Sequence, residues 1–208
     1  MDFLLVLVTI FFAHMIMMIS PGPNVLLVSQ VAASQSRAAG LQVAFGVVTA
    51  AVTWACLALF GLSVIFEQVV WLYFALKILG GAYLVYLGIK SWRSASKPLV
   101  VTKTGVVRSK RSLYLQGLAT NLSNPKSLIF FGSFFAALIP ATAPLGVKVG
   151  AVAVIGFNVI WWYVFLALAM SLGRVQRGYA AIKTWLDRVI GVLFVSIGLR
   201  LAFSGRAS

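Results

Sequence analysis

Lys126 stands inside Asn121-Leu122-Ser123-Asn124-Pro125-Lys126-Ser127, about 13 residues into an apolar stretch of 27. An ammonium at that depth is costly, which marks it as a functional candidate. It can meet a substrate carboxylate, or the break at Pro125 can place it in a water-filled vestibule; the alternative is a side chain that snorkels to an interface. Lys77, within Ala75-Leu76-Lys77-Ile78-Leu79-Gly80-Gly81, is a second buried cation, and from its depth snorkelling competes more strongly. Asn24, Asn121, Asn124 and Asn158 are amides in apolar surroundings that can bind a zwitterion or bond to a neighbouring helix. For Asn158 the sequence favours a helix-to-helix bond. Asn24 and Asn124 adjoin helix breaks, where restarted helices offer unpaired N–H groups and a positive dipole end to a carboxylate. His14, the one histidine, is either a bonded packing residue or a proton carrier, with a free pKa of about 6.5. The acids Asp2, Glu67 and Asp187 all fall at or near segment ends, so no buried carboxylate is expected for proton coupling.

Other chemistries fit poorly. A membrane-embedded enzyme needs a nucleophile and base or paired acids, and only Ser, Thr and His14 could serve. A metal-cation exporter wants carboxylates, thiolates or several histidines, against one His and one Cys here. Cys56 alone excludes intrachain disulfides and dithiol redox chemistry, and reads as a small packing residue. No cofactor is called for. A structural subunit that transports nothing would have little use for broken helices.

The elements that must position these groups are membrane helices. Hydrophobic residues make up 62% of the 208, charged residues 10%, and mean hydropathy is +1.03, outside the range of soluble domains. Several stretches reach the roughly 20 residues that cross about 30 Å of hydrocarbon. Residues 43–60 and 149–170 lack the alternation of barrel strands. Six helical segments are predicted, over about 3–30, 41–66, 69–91, 113–139, 147–172 and 186–203. The first is broken by Ser20-Pro21-Gly22-Pro23-Asn24, since two prolines remove two backbone donors and clash with the preceding turn while Gly22 permits a bend. The fourth is broken at Asn124-Pro125. The freed backbone groups need protein or a water-filled cavity, the setting of transporter binding sites. The N-terminal run lacks the basic start and small-residue cleavage pattern of a secretory signal, so it is expected to remain in the mature chain.

The net charge of +14 serves orientation and not nucleic-acid binding, because no connection is long enough to fold as a basic module. Connections one, three and five carry ten Lys and Arg (Arg37; Arg93, Lys97, Lys103, Arg108, Lys110, Arg111; Arg174, Arg177, Lys183), and the other side has Lys148, Arg200 and Arg206. The positive-inside rule therefore makes the odd connections cytoplasmic and places both termini outside. Laying residues 81–90 over 191–200 matches Gly81 with Gly191, Gly88 with Gly198 and Lys90 with Arg200. Two halves of three spans each enter the membrane in opposite senses, so the expected fold is all-α: one transporter domain over 1–208, with inverted repeats at about 1–92 and 113–203 and a cytoplasmic connection at about 93–112. Chance alignment of glycines in apolar sequence is the alternative. The glycines of segments three and six also read as helix contact faces.

Ser20-Pro21-Gly22-Pro23-Asn24, Ser36-Arg37 with Gly40, the run from Leu76-Lys77 through Gly80-Gly81 to Gly88, and residues 121–127 together resemble the LysE/RhtB family of amino-acid exporters across essentially the whole chain. The resemblance implies a six-helix protein of the bacterial inner membrane that expels amino acids or derivatives, driven by the proton gradient. Its marked positions fall on Pro21, Gly22, Pro23, Asn24, Lys77, Asn124, Pro125 and Lys126. The expected partners are a small-molecule substrate and the lipid bilayer; the sequence leaves self-association open. Without a buried acid to pair a cationic side chain, a neutral substrate such as homoserine, threonine, leucine or a derivative is expected. Asn121 joins the expected substrate-binding set, and His14 is the proton-coupling candidate.

Overall fold

The apolar runs fold as helices, and the polar and imino residues between them set where each helix begins and ends. The computed structural model describes residues 3–20, 22–62, 70–96, 109–134, 138–139 and 142–203. Helix α1 (Phe3–Ile19) contains neither Pro nor Gly and stops where the proline-glycine break begins. Helix α2 (Pro23–Ser34) restarts with proline at its first position, where a missing N–H is no loss. The two axes are bent by 59°. Helix α3 (Arg37–Cys56) is capped by Ser36, whose side chain accepts from the Ala39 N–H at 3.1 Å, and it continues through a π-helical turn, Leu57–Leu62. Helix α4 is Val70–Ser94. Helix α5 (Lys110–Leu122), capped by Ser109, is broken at Ser123-Asn124 from the short α6 (Pro125–Ile129), which runs on as π-helical Phe130–Phe134. Helices α7 (Leu145–Met170) and α8 (Gly173–Phe203) follow; no strand occurs among the described residues.

Two helices, Arg37–Gly61 and Leu145–Met170, are each long and apolar enough to cross a membrane, and the bent α1–α2 pair makes a third if it counts as one span. In lipid the tails are as apolar as the side chains, so helices associate through close packing and interhelical bonds. The contacts follow that rule. Helix α3 packs on α5 where a Cβ at Gly46 would strike the Tyr114 carbonyl oxygen and one at Gly117 that of Val43. Helices α4 and α8 form a second tight pair: a Cβ at Gly88 would lie 2.5 Å from the Gly191 carbonyl oxygen, and one at Gly198 2.6 Å from that of Gly81. The expected glycine contact faces of these two helices therefore do meet. Helix α3 also packs on α7, which reaches α1 and α2, and small residues such as Ala44, Ala50 and Ala55 line its buried side.

Two sequence expectations are corrected. The fifth connection is not a loop: only Ser171 and Leu172 separate α7 from α8, and Arg174, Arg177 and Lys183 ride on the helix. No proline interrupts residues 173–185, and the turn is held by Val175 N–H to the Leu172 carbonyl at 3.0 Å and Gln176 Nε2 to the Met170 carbonyl at 2.8 Å. There is also a buried carboxylate after all. Asp187 is 1% exposed and accepts from Lys183 Nζ at 2.6 Å, because the longer α8 packs this turn on the end of α4. There Ser91 Oγ donates to the Asp187 backbone carbonyl (2.9 Å) and Thr184 Oγ1 to that of Ala95 (3.1 Å). Pro21, the side chain of Lys77, the acids Asp2 and Glu67, and Lys97, Lys103 and Arg108 of the third connection lie outside the described residues.

Candidate functional site

The site forms where the two helix breaks meet. In an unbroken helix the Ser20 carbonyl would accept the N–H four residues on. The chain instead bends there, and Lys126 Nζ donates to that carbonyl at 3.1 Å. Lys126 occupies the first turn of α6, and Asn124 shapes that turn: its side-chain oxygen accepts from the Lys126 N–H at 3.0 Å, and its carbonyl accepts from the Leu128 N–H at 3.1 Å. Pro125 fits the first helical position for the same reason as Pro23. The ammonium lies 5.3 Å from the centre of the Phe194 ring, a cation–π contact supplied by α8.

Lys126 is 6% exposed. Its hydrogen bond to Ser20 and its contact with Phe194 hold it, yet among the described residues no carboxylate neutralises it, since Asp187 pairs with Lys183. The N-terminus of α2 adjoins it. Gly22 caps that helix without a side-chain bond, and a Cβ on Gly22 would stand 3.7 Å from Lys126 Nζ. The first-turn N–H groups of a helix have no partner within it and carry its positive dipole end. An ammonium beside such a terminus repels it in the absence of an anion and cooperates with it on one.

A buried amide network fixes the two breaks to each other. Asn121 Oδ1 accepts from Asn24 Nδ2 (3.1 Å) and Ser127 Oγ (2.6 Å), while Asn121 Nδ2 donates to the Val47 carbonyl (2.8 Å). One side chain thus ties together α2, α3, α5 and α6, and such networks rigidify when fully satisfied. Asn24 Oδ1 is buried with no close hydrogen bond among the described residues, and Tyr163 of α7 neighbours the same amide. His14 on α1 is 1% exposed, its ring 5.7 Å from that of Phe130 and 5.8 Å from that of Phe131, and its Nδ1 likewise has no hydrogen-bond partner among the described residues. Asn158 stands apart: its Nδ2 donates to the Phe11 carbonyl at 3.1 Å, the helix-to-helix bond expected of it.

Of the residues singled out in the sequence, Gly22, Pro23, Asn24, Asn121, Asn124, Pro125 and Lys126 come together here, and His14 packs on the π segment that follows α6. Three contributors were missed. The Ser20 carbonyl and Ser127 hydroxyl lay inside the quoted motifs, and the break itself was the signal that a carbonyl would be freed. Phe194 left none, being one apolar residue among many. The collected groups, amides, hydroxyls, free helix ends and one ammonium, suit a small anion or zwitterion.

Comparison with known proteins agrees with this chemistry. The family model described as LysE type translocator matches residues 15–205. The threonine efflux protein of Escherichia coli strain K12 is 33% identical over 205 residues, covering 97% of this chain and 99% of its own. That of Salmonella typhimurium is 34% identical over 200 residues, covering 94% and 97%. An uncharacterized membrane protein of Escherichia coli, YahN, is 33% identical over 187 residues, covering 89% and 84%. No solved structure matches. With its apolar helices and a family match that takes in both breaks, the chain belongs to the LysE type translocator family, and it is a membrane transporter and not an enzyme.

Proposed function

We propose that the chain exports a neutral amino acid of the threonine, homoserine or leucine kind from the bacterial cytoplasm across the inner membrane, by proton antiport. The observation that carries this reading is the Lys126 ammonium, buried without a counter-charge among the described residues and set beside the uncapped N-terminus of α2. A substrate carboxylate entering between them gains an ion pair and helix N–H donors together. Asn24 Oδ1, which has no close hydrogen-bond donor among the described residues, is an acceptor for the substrate's ammonium. The relatives named threonine efflux proteins favour a small neutral substrate. His14, buried beside the π segment, is the group we assign to proton coupling.

The reading includes six spans in two inverted halves, with α4 and α8 as spans three and six and both termini outside. Its support is a reciprocal contact: Gly88 meets Gly191 and Gly198 meets Gly81, and a shift of 110 residues exchanges the two pairs, as a two-fold axis between α4 and α8 requires. The hydrogen bond from Arg37 Nε to Ser171 Oγ (2.9 Å) joins the ends of α3 and α7 next to Arg174 and Arg177, that from Thr184 to Ala95 ties the end of α4 with Arg93 to α8, and the reading sets all of these on one side. That is the side the positive-inside rule makes cytoplasmic.

The test is efflux from cells preloaded with labelled threonine, homoserine, leucine and other neutral amino acids, comparing the intact chain with Lys126→Ala at matched membrane abundance, with and without a protonophore. Faster, protonophore-sensitive loss of one substrate with the intact chain alone is expected. Normal export by Lys126→Ala would remove Lys126 from the site, and export indifferent to the protonophore would remove proton antiport.

A further inference from the structure

On the exposed face of α4 near its C-terminal end, cations and aromatic rings surround a groove that none of the transport chemistry uses. Lys90 and Arg93, three residues apart on one face, line a cavity of 510 Å³ together with Tyr86, Ile89 and Ser94. Lys90 Nζ lies 5.8 Å from the Tyr86 ring centre, and the Arg188 guanidinium, from α8, lies 5.9 Å from that of Trp92. Arg93 and Ile89 also line an adjoining groove of 300 Å³ between α4 and α8, walled by Gly88, Trp92, Gly191 and Val195. The groove follows from the close glycine crossing, which brings the backbones together and leaves the larger side chains standing as its banks. The result is a cationic mouth continuous with an apolar channel.

We propose that this is a binding site for one anionic phospholipid, its phosphate held by Lys90 and Arg93 with Arg188 alongside and an acyl chain lying in the α4–α8 groove. The inference rests on α4 and α8 crossing the membrane, as in the six-span reading. Charge complementarity selects the ligand. Lys90 and Arg93 line the mouth and Arg188 adjoins it over Trp92, while Asp187, the one acid among the described residues, is buried and already paired with Lys183. Basic pockets between membrane helices at an interface take anionic headgroups, and Tyr and Trp rings sit at headgroup level. Orientation in the membrane would explain the charges but not their arrangement. The shift of 110 residues that matches Gly88 with Gly198 puts Arg200 where Lys90 stands but Phe203 where Arg93 stands. Among the described residues the Lys90 end therefore holds a pair of cations on one face, and the Arg200 end does not.

The experiment is native mass spectrometry of the full chain released from nanodiscs of equal phosphatidylglycerol and phosphatidylcholine, comparing the intact protein with the double variant Lys90→Gln/Arg93→Gln. Retention of one phosphatidylglycerol, cut roughly 10- to 30-fold in the variant, is the expected result. Equal retention of the two lipids, or retention that the variant does not change, overturns the proposal. So does displacement of the lipid by millimolar inorganic phosphate, which would mark a small-anion site. A dimer in the intact protein that the variant dissociates would assign the face to a second copy. Because the double variant leaves Lys126 and both helix breaks untouched, its amino-acid efflux separates a failure here from a failure of the transport reading.

Discussion

Two lysines are buried among the described residues, Lys126 at 6% and Lys183 at 8% exposure, and the protein treats them in opposite ways. Lys183 has a carboxylate one turn away on the same helix, at 2.6 Å, and its second contact is the Ser94 carbonyl at 3.4 Å. Lys126 has one carbonyl and one aromatic ring, and the one acid among the described residues, Asp187, is committed to Lys183. A buried charge is tolerated when a partner offsets its desolvation, so the first lysine is complete within the fold. The second has no anion among the described residues, and an N-terminus without a side-chain cap stands next to it. The difference separates a lysine that holds two helices together from one that receives something.

Removing each amine tests that division, and Lys126→Ala carries the largest expected effect: export falls to the background of cells lacking the protein, while membrane abundance and melting temperature change little. Relief of an unneutralised charge explains the second half of that outcome. A variant that exports normally, or one that fails to accumulate, would erase the contrast. Lys183→Ala does the reverse, leaving Asp187 buried without its cation and lowering stability by about 3 kcal/mol. The double variant Lys183→Met/Asp187→Leu recovers most of that loss, since the pair can be exchanged for apolar residues of similar size. Thermal unfolding in detergent measures both, and a double variant no better than the single one would show that more than the ion pair holds α8 to α4.

How far this division could be read from the sequence depends on how local its causes are. The breaks were legible because Pro21, Gly22, Pro23 and Pro125 act on their own turns, whatever surrounds them. Lys126 was legible because a lone cation in apolar sequence needs no context to stand out. The pairing of Lys183 with Asp187 was hidden by a boundary error: with α8 started at residue 186 instead of Gly173, the two residues never shared a helix. The burial of Asp187 then depended on the end of α4, some 90 residues earlier, where Ser91 and Ala95 meet it. Asn121 was legible as a polar residue in the right place, but its tie to Val47, 74 residues away in α3, was not. Gly46 and Gly117 gave no sign of their contact, because a single glycine in a helix looks the same whether it faces a partner backbone or lipid.

Asn121 occupies the middle of this scale. It is counted with the substrate-binding residues, yet each of its three bonds goes to the protein. Asn121→Leu would strand the Asn24 amide and the Ser127 hydroxyl and remove the second bond to the Val47 carbonyl, which keeps its bond within α3. The expected loss is about 2 kcal/mol, less than three buried bonds would cost in a soluble core because polar groups in a membrane find substitutes. Export should fall through a higher apparent KM as the two breaks lose their common support. A Ser127→Ala comparison, which removes only one of the three bonds, should reproduce a fraction of both changes. Full export with unaltered KM in Asn121→Leu would mean that the breaks hold their positions without the amide.

Arg37→Ala should have the smallest effect. The guanidinium is exposed and its bond to Ser171 crosses between the ends of α3 and α7 at the surface, where water replaces either partner. Its loss should lower stability by about 0.5 kcal/mol or less, near the limit of a thermal shift. Its charge has a separate consequence, because in the reading with odd connections cytoplasmic Arg37 is the sole Lys or Arg of connection one. Removing it leaves nine of the ten cations in place, so the orientation of the spans should hold, as read by labelling a cysteine introduced at Ser34 from either side of the membrane. Labelling of that cysteine from outside intact cells would show that α2 and α3 are joined on the outer face. The cation count would then be the wrong guide to topology, and the α4–α8 surface that carries Lys90 and Arg93 would face the opposite leaflet.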